Sequence, residues 1–243
     1  MFPIPRFSDP RTNDTVRSAT PRPEGSPIWS LPELRIACGI LSLFYLLQMG
    51  FFVVIDTTAS ESLRWLIPAL IDLLLACTAW FLMVWKRNVS GRELGLRSFT
   101  CRAVPLAAGL TLVILCFMIA YLGLMNQPST RQVSESSGEP PPRTSVLPRI
   151  SILELIAKLV VAPLTEEFLF RGLIFNGFRR HQGPRRAALM SGALFALFHM
   201  RLLPYYFLGG ALLAALYDDT GSLWPPILMH FLWGAATVVL EHI

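Results

Sequence analysis

The chain has 243 residues, of which 53% are hydrophobic and only 15% charged, and its formal net charge is +5. Soluble domains carry about 25% charged residues, so the composition argues against a soluble protein and favours a membrane protein. The basic residues lie in short segments between apolar runs, as membrane topology requires, and not on the clustered face that nucleic-acid binding needs. We therefore expect the lipid bilayer as a partner and no nucleic acid.

Residues 1–30 are rich in Pro, Arg, Ser and Thr. Proline breaks helices, and no apolar run follows the first arginine closely, so the segment is predicted to be a flexible N-terminal tail and not a signal peptide. Three apolar runs follow, at about 34–55, 63–85 and 103–125. Each reaches the roughly 20 residues that a helix needs to cross the hydrocarbon core, which predicts a three-helix transmembrane region over residues 31–125.

A polar loop is predicted at residues 126–149, where Pro, Ser, Gly and Glu predominate. Residues 150–243 then read as four further helices, at about 150–178, 187–200, 205–217 and 223–239. The middle two are short, so we expect them inside the bundle or tilted. The predicted fold class is all-α, a polytopic transmembrane helical bundle of about seven helices.

The positions of Lys and Arg predict the orientation of the bundle. One basic segment lies between helices two and three, a second between helices four and five, and a third in the N-terminal tail. With seven helices all three fall on one side, and the positive-inside rule makes that side cytoplasmic. We therefore expect an integral, multi-pass membrane protein with its N-terminus and basic loops in the cytoplasm.

Ionisable residues inside apolar helices are functional candidates, because a charge at mid-membrane is costly. Those of interest are Glu154, Lys158, Glu166, Glu167, Arg171, His199 and His230. Glu154 and Lys158 have the i,i+4 spacing of a structural ion pair.

Glu167 and Arg171 share the same spacing, whereas Glu166 is rotated by about 100° around the helix and lacks that partner. Two neighbouring carboxylates in an apolar setting cannot both ionise cheaply, which suits one of them to be a general base that activates water. Spacing alone equally allows a salt-bridged helix end.

Two histidines complete the candidate site. His199 ends the run Phe195-Ala196-Leu197-Phe198-His199, and His230 lies within an apolar helix. A lone histidine of this kind is usually a packed core residue, but two such histidines together with a Glu pair favour a functional site. Together Glu166, His199 and His230 could hold a water, bind a divalent metal such as zinc, or stabilise an oxyanion.

The order of these motifs resembles the CAAX-protease and bacteriocin-processing (CPBP, or Abi) family. The segment Glu166–Gly172 resembles its EExxxR motif, Phe195–His199 its FxxxH motif, and His230–Gly234 its HxxxN motif. The resemblance covers about residues 150–240, which would then be a four-helix catalytic core of CPBP type.

The resemblance implies an intramembrane endopeptidase that hydrolyses a membrane-associated peptide or a prenylated protein near the membrane surface. It implies that Glu166 activates water with help from His199, that His230 stabilises the oxyanion, and that Glu167, Arg171 and Phe195 support the site. The family has been described both as metal-dependent and as a glutamate protease without metal. If a metal is bound, its ligands would be Glu166, His199 and His230.

Gly234 departs from the family pattern, which has Asn at this place. Glycine has no side-chain donor, and the loss of one oxyanion donor slows a reaction by about 10²–10³-fold. The departure keeps a second interpretation open, a non-catalytic membrane immunity or scaffold protein of the same fold. A transporter is less favoured, since the chain shows no repeated halves.

Overall fold

The computed structural model describes residues 29–58, 61–125, 151–199 and 203–241. Within these ranges the chain forms seven helices and no strand. The all-α membrane bundle expected from the apolar runs is therefore confirmed. Most of the predicted N-terminal tail and the whole predicted polar loop lie outside the described residues.

The helices follow the predicted order closely. They are α1 (Leu31–Thr58), α2 (Glu61–Phe81, extended by a π-helical turn at Leu82–Lys86), α3 (Ala103–Met125), the composite α4, α5 (Pro184–His199), α6 (Leu203–Thr220) and α7 (Trp224–Glu241). Helix α4 runs without a break through five segments, Ile152–Ile156, Ala157–Val161, Ala162–Glu167, Phe168–Phe175 and Asn176–Gln182.

Two segments of α4 are π-helical. The first, Ala157–Val161, lies directly before Pro163, whose missing N–H and ring disturb the preceding turn of an α-helix. The second, Phe168–Phe175, contains Arg171 and is completely buried. Because π-helical turns in long helices are frequent at functional sites, the second segment favours a functional site in the region around Glu166 and Glu167.

In the part of the chain that the structure describes, three helices are long and apolar enough to cross a membrane, through Leu31–Gln48, Leu63–Trp85 and Ala103–Leu124, and Trp224–Leu240 is a shorter apolar helix. Large apolar side chains on the outside of these helices are exposed, for example Leu74 at 69%. Such a surface is unfavourable in water and suited to lipid tails. The chain is therefore a membrane protein.

Helices α5 and α6 approach each other at two glycines. A Cβ at Gly192 would lie 2.8 Å from the carbonyl oxygen of Phe207, and one at Gly210 would lie 2.9 Å from Cβ of Phe195. Only glycine allows the two backbones to come this close, as in other small-residue contacts between membrane helices. The approach brings the carbonyl group of Gly210 within reach of the site described below.

The basic segments after α2 and at the end of α4 lie at one end of the bundle. The guanidinium of Arg97 donates to the carbonyl oxygen of Gly221, so the loop after α2 packs on the loop between α6 and α7. At the end of α4, Arg179 pairs with Asp218 of α6 at 2.7 Å, and His181 is hydrogen-bonded to the carbonyl oxygen of Trp29. The ends of α2, α4 and α6 and the start of α1 therefore share one side.

We predict that this side faces the cytoplasm, because it carries the excess of Lys and Arg. Native Cys101 is exposed in the basic loop, and Arg180→Cys adds a second position at the end of α4. A membrane-impermeant thiol reagent should label both only after the cells are permeabilised, with Cys101→Ser as the background control. Labelling of either position on intact cells would refute the orientation.

Candidate active site

Glu166, His199 and His230 line one cavity of about 450 Å³. They come from α4, α5 and α7 and are separated by up to 64 positions in the sequence. The cavity wall also includes aromatic side chains of α6 and α7, namely Tyr205, Tyr206 and Trp233. The convergence expected for the three candidate residues is therefore present, although their catalytic roles stay a prediction.

His199 faces Glu166 through its Nε2 atom, which lies 3.7 Å from Oε2 of the carboxyl group. Its other ring nitrogen, Nδ1, lies 2.8 Å from the carbonyl oxygen of Phe195. A carbonyl oxygen can only accept, so Nδ1 carries the proton and Nε2 presents its lone pair to the cavity in the neutral ring. Phe195 thus supports the site through its backbone, and its ring lies 4.4 Å from that of His199.

Glu167 connects Arg171 to His230. Its Oε1 atom lies 2.9 Å from Nη1 of Arg171 and 2.8 Å from Nδ1 of His230. Both members of the Glu167–Arg171 pair are completely buried, and Nη2 of Arg171 donates to the carbonyl oxygen of Gly210 at 2.9 Å. The ion pair is the one that the spacing predicts, whereas the contact with His230 was not foreseen.

The two neighbouring carboxyl groups consequently have different surroundings. Glu167 holds His230 and Arg171, whereas Oε2 of Glu166 is buried with no hydrogen-bonding partner among the described residues. Glu166 also lines the cavity, and Glu167 does not. The geometry thus separates a carboxyl group that can meet a ligand from one that holds other side chains.

Lys158 makes further contacts besides its expected ion pair. Its Nζ atom lies 2.9 Å from Oε1 of Glu154 and 4.7 Å from the ring centroid of Trp65. The same side chain lines the cavity that contains Glu166. An interpretation of the Glu154–Lys158 pair as purely structural is therefore incomplete.

Asp72 was missed at the sequence level. It lies in α2, is 8% exposed, and accepts a hydrogen bond from Nε2 of Gln48 at 3.4 Å. The signal was available, because a carboxylate inside an apolar run has the same diagnostic value as Glu166. No comparable sequence pattern indicates Tyr206, whose ring stacks on that of His199 with centroids 4.2 Å apart.

Gly234 lines the cavity beside His230. A Cβ built on it would lie 3.4 Å from both Cδ2 of Leu159 and the carbonyl oxygen of Lys158. These are contacts at the short end of the ordinary range, and one of them is to the tip of a flexible side chain. The site therefore has room for a small side chain at residue 234.

The predicted metal site depends on which ring nitrogen each histidine directs into the cavity. Among the described residues, no group of three or more His, Cys, Asp or Glu side chains is arranged to hold a metal ion. His230 directs Nδ1 to Glu167, while His199 directs Nδ1 to a backbone carbonyl. A metal-ligating histidine usually donates its other ring N–H to a carboxylate or a backbone carbonyl, and both contacts leave Nε2 for the cavity. Zinc binding by Glu166, His199 and His230 therefore stays a prediction.

Comparison with known proteins agrees with the motifs. Residues 148–236 match the family model described as "Type II CAAX prenyl endopeptidase Rce1-like". The chain is 31% identical over 91 residues to the Bacillus subtilis (strain 168) protein named "Putative membrane peptidase YdiL". That match spans 37% of this chain and 37% of the relative. No solved structure matches the chain. The chain spans little more than a third of this relative's length, and through residues 148–236 it is similar to the Rce1-like CAAX prenyl endopeptidases.

Proposed function

We propose that this protein is an intramembrane endopeptidase that uses Glu166 and His199 to activate water. The observation that carries the proposal is the meeting of Glu166, His199 and His230 at one cavity of about 450 Å³ inside a membrane bundle. Buried ionisable side chains around such a cavity are typical of a reaction site. The match of residues 148–236 to a protease family model supports the same conclusion.

Water activation follows from the two acceptor atoms that face each other. A water molecule between Oε2 of Glu166 and Nε2 of His199, which are 3.7 Å apart, would donate a proton to one of them as its oxygen attacks the scissile carbonyl carbon. The C–N bond of the tetrahedral intermediate then breaks, and the same proton passes to the leaving amine. Residues that take and return a proton in this way contribute about 10²–10⁴-fold to rates.

His230 is suited to bind the oxyanion that forms on the substrate carbonyl oxygen. Its Nδ1 atom donates to Glu167, so a donor that faces the substrate requires a second proton on Nε2. The Glu167 carboxylate at 2.8 Å supplies the countercharge for this cation, and the Arg171 contact holds the carboxylate in place. A preorganised donor of this type is usually a large contribution to acyl-transfer catalysis.

The walls of the cavity suit a substrate that is partly apolar. Met118, Leu122 and Leu240 line it together with the aromatic groups of α6 and α7. The description of the matching family names prenyl endopeptidases, and the Bacillus relative is named a membrane peptidase. We therefore propose as substrate a membrane-associated peptide or a prenylated protein, cleaved near the membrane surface in CAAX-type or bacteriocin-type processing.

The test is hydrolysis of a membrane peptide library, including prenylated CAAX-type peptides, by the purified protein in lipid vesicles. We expect cleavage that persists with a metal chelator, because water activation by Glu166 and His199 as proposed here does not require a metal ion. Activity that is lost with chelator and restored by zinc would instead show that the ligands rearrange around a metal. Absence of cleavage for all peptides would contradict the endopeptidase.

One observation favours the alternative, a membrane immunity or scaffold protein without catalysis. At Gly234 the cavity lacks the side-chain donor that the family motif carries. Glu166, His199, His230 and their partners are nevertheless all present and in contact, which a protein without catalysis would not require. We therefore place the endopeptidase first, and the Gly234 variants discussed below distinguish the two.

A further inference from the structure

A cluster of buried polar side chains lies on α1 and α2, outside the matched residues 148–236. Tyr45 belongs to α1 and Asp72 to α2, and both side chains are at least nine-tenths buried. Gln48, one turn after Tyr45, joins the two helices through its hydrogen bond to Asp72. Polar groups are costly in apolar helices, and neither the ion pairs nor the water activation described above uses these three.

The ring of Tyr45 is fixed on the seam between α4 and α5. It stacks on Phe198 with ring centroids 4.5 Å apart and an interplanar angle of 11°, and its centroid is 6.4 Å from that of Phe170. Phe198 directly precedes His199, and Phe170 follows Glu166 by four positions. The ring of Tyr45 is thereby packed on side chains of the two helices that carry Glu166 and His199.

Several buried atoms of this region have unused hydrogen-bonding capacity, among them Oε2 of Glu167 and Nε of Arg171. The hydroxyl of Tyr45, Oε1 of Gln48 and Oε2 of Glu166 are buried, and none has a hydrogen-bonding partner among the described residues. A phenol is a donor and a carboxyl oxygen an acceptor. Because buried polar groups pair directly or through ordered water, the unpaired phenol and the unpaired carboxyl oxygen are suited to pair through a water.

We propose that Tyr45, supported by Gln48 and Asp72, is a positioning residue whose hydroxyl donates to Glu166 through one buried water. The first two helices would thereby complete a site whose reacting groups lie on α4, α5 and α7. The bond would hold the Glu166 carboxyl group in the orientation that faces His199. The kinetic consequence rests on the proposed function, whereas the hydrogen bond itself does not.

The kinetic test uses Tyr45→Phe, which removes the hydroxyl and keeps the stacked ring. We expect kcat to fall by about tenfold, the effect of one hydrogen bond to a charged group, with KM unchanged. Asp72→Asn should lower kcat in the same way, and Asp72→Glu should restore it. Tyr121→Phe in α3 and Asp219→Asn at the exposed end of α6 are matched controls that should leave kcat unchanged.

An infrared test does not depend on hydrolysis. The difference spectrum between wild type and Glu166→Gln identifies the carboxyl band of Glu166, and this band should move in Tyr45→Phe while Tyr121→Phe leaves it in place. A stationary band overturns the proposal even if the protein cleaves no peptide, and a shifted band sustains it in that case. In an active protein, kcat and the band must change together, since a change in only one of them overturns the positioning role.

Discussion

Glu166→Gln is expected to abolish peptide hydrolysis, a loss of about 10²–10⁴-fold for a general base, while the free energy of unfolding stays close to that of the wild type. The amide has nearly the shape of the carboxyl group but cannot take a proton from water. Little stability is at risk, because Oε2 of Glu166 has no hydrogen-bonding partner among the described residues. Steady-state kinetics and thermal unfolding in detergent would measure the two effects.

Glu167→Ala should have a different effect at the adjacent residue. It leaves Arg171, which is completely buried, without its carboxylate, and removal of one member of a buried ion pair lowers stability by about 3–5 kcal/mol. It also releases Nδ1 of His230, so activity should fall as well. We expect a much lower unfolding temperature together with a loss of hydrolysis.

Glu154→Ala is the matched control for the stability of an i,i+4 pair on the same helix. Its partner Lys158 has a side chain that is 27% exposed, so the loss should be near the 1 kcal/mol or less that is typical of solvent-accessible pairs. Equal destabilisation by Glu166→Gln and Glu167→Ala would contradict the different functions assigned to the two carboxyl groups. So would a loss in Glu154→Ala as large as that in Glu167→Ala.

The helices could be predicted from the sequence because membrane thickness sets a length that apolar runs must reach. The Glu167–Arg171 and Glu154–Lys158 pairs could also be predicted from the sequence, since i,i+4 neighbours meet within one helix. The extent of α4 was less well predicted. It continues to Gln182, beyond the expected end near residue 178, because the polar residues of its last turn lie outside the apolar pattern.

Contacts between helices that are distant in the sequence could not be predicted in the same way. The hydrogen bond between Glu167 and His230 joins residues 63 positions apart, and no periodicity encodes which histidine nitrogen meets which carboxyl oxygen. The contribution of Tyr45 and Asp72 likewise depends on how α1 and α2 pack against α4. Sequence motifs therefore indicate the proposed reacting groups, whereas the contacts that support these groups depend on how the helices pack.

Gly234→Asn is expected to raise turnover, by up to about 10²-fold if the amide reaches the oxyanion. Residue 234 follows His230 by four positions, so a side chain there projects on the same helix face. It also lines the cavity, where an added Cβ would meet Leu159 and Lys158 at 3.4 Å. Because Asn forms helices slightly better than Gly, the folded state should tolerate the change.

Gly234→Ala distinguishes the effect of the amide donor on turnover from the effect of the added side-chain volume. Alanine adds the same Cβ but no amide, so it should keep the stability of the Asn variant and leave turnover at the wild-type level. A loss of stability in both variants would show that Gly234 is needed for close packing of α7 on α4, as small residues often are between membrane helices. If both variants are stable, and if the wild type and both variants leave every peptide intact, the missing donor is not what prevents hydrolysis. The non-catalytic membrane protein then becomes the better interpretation of this fold.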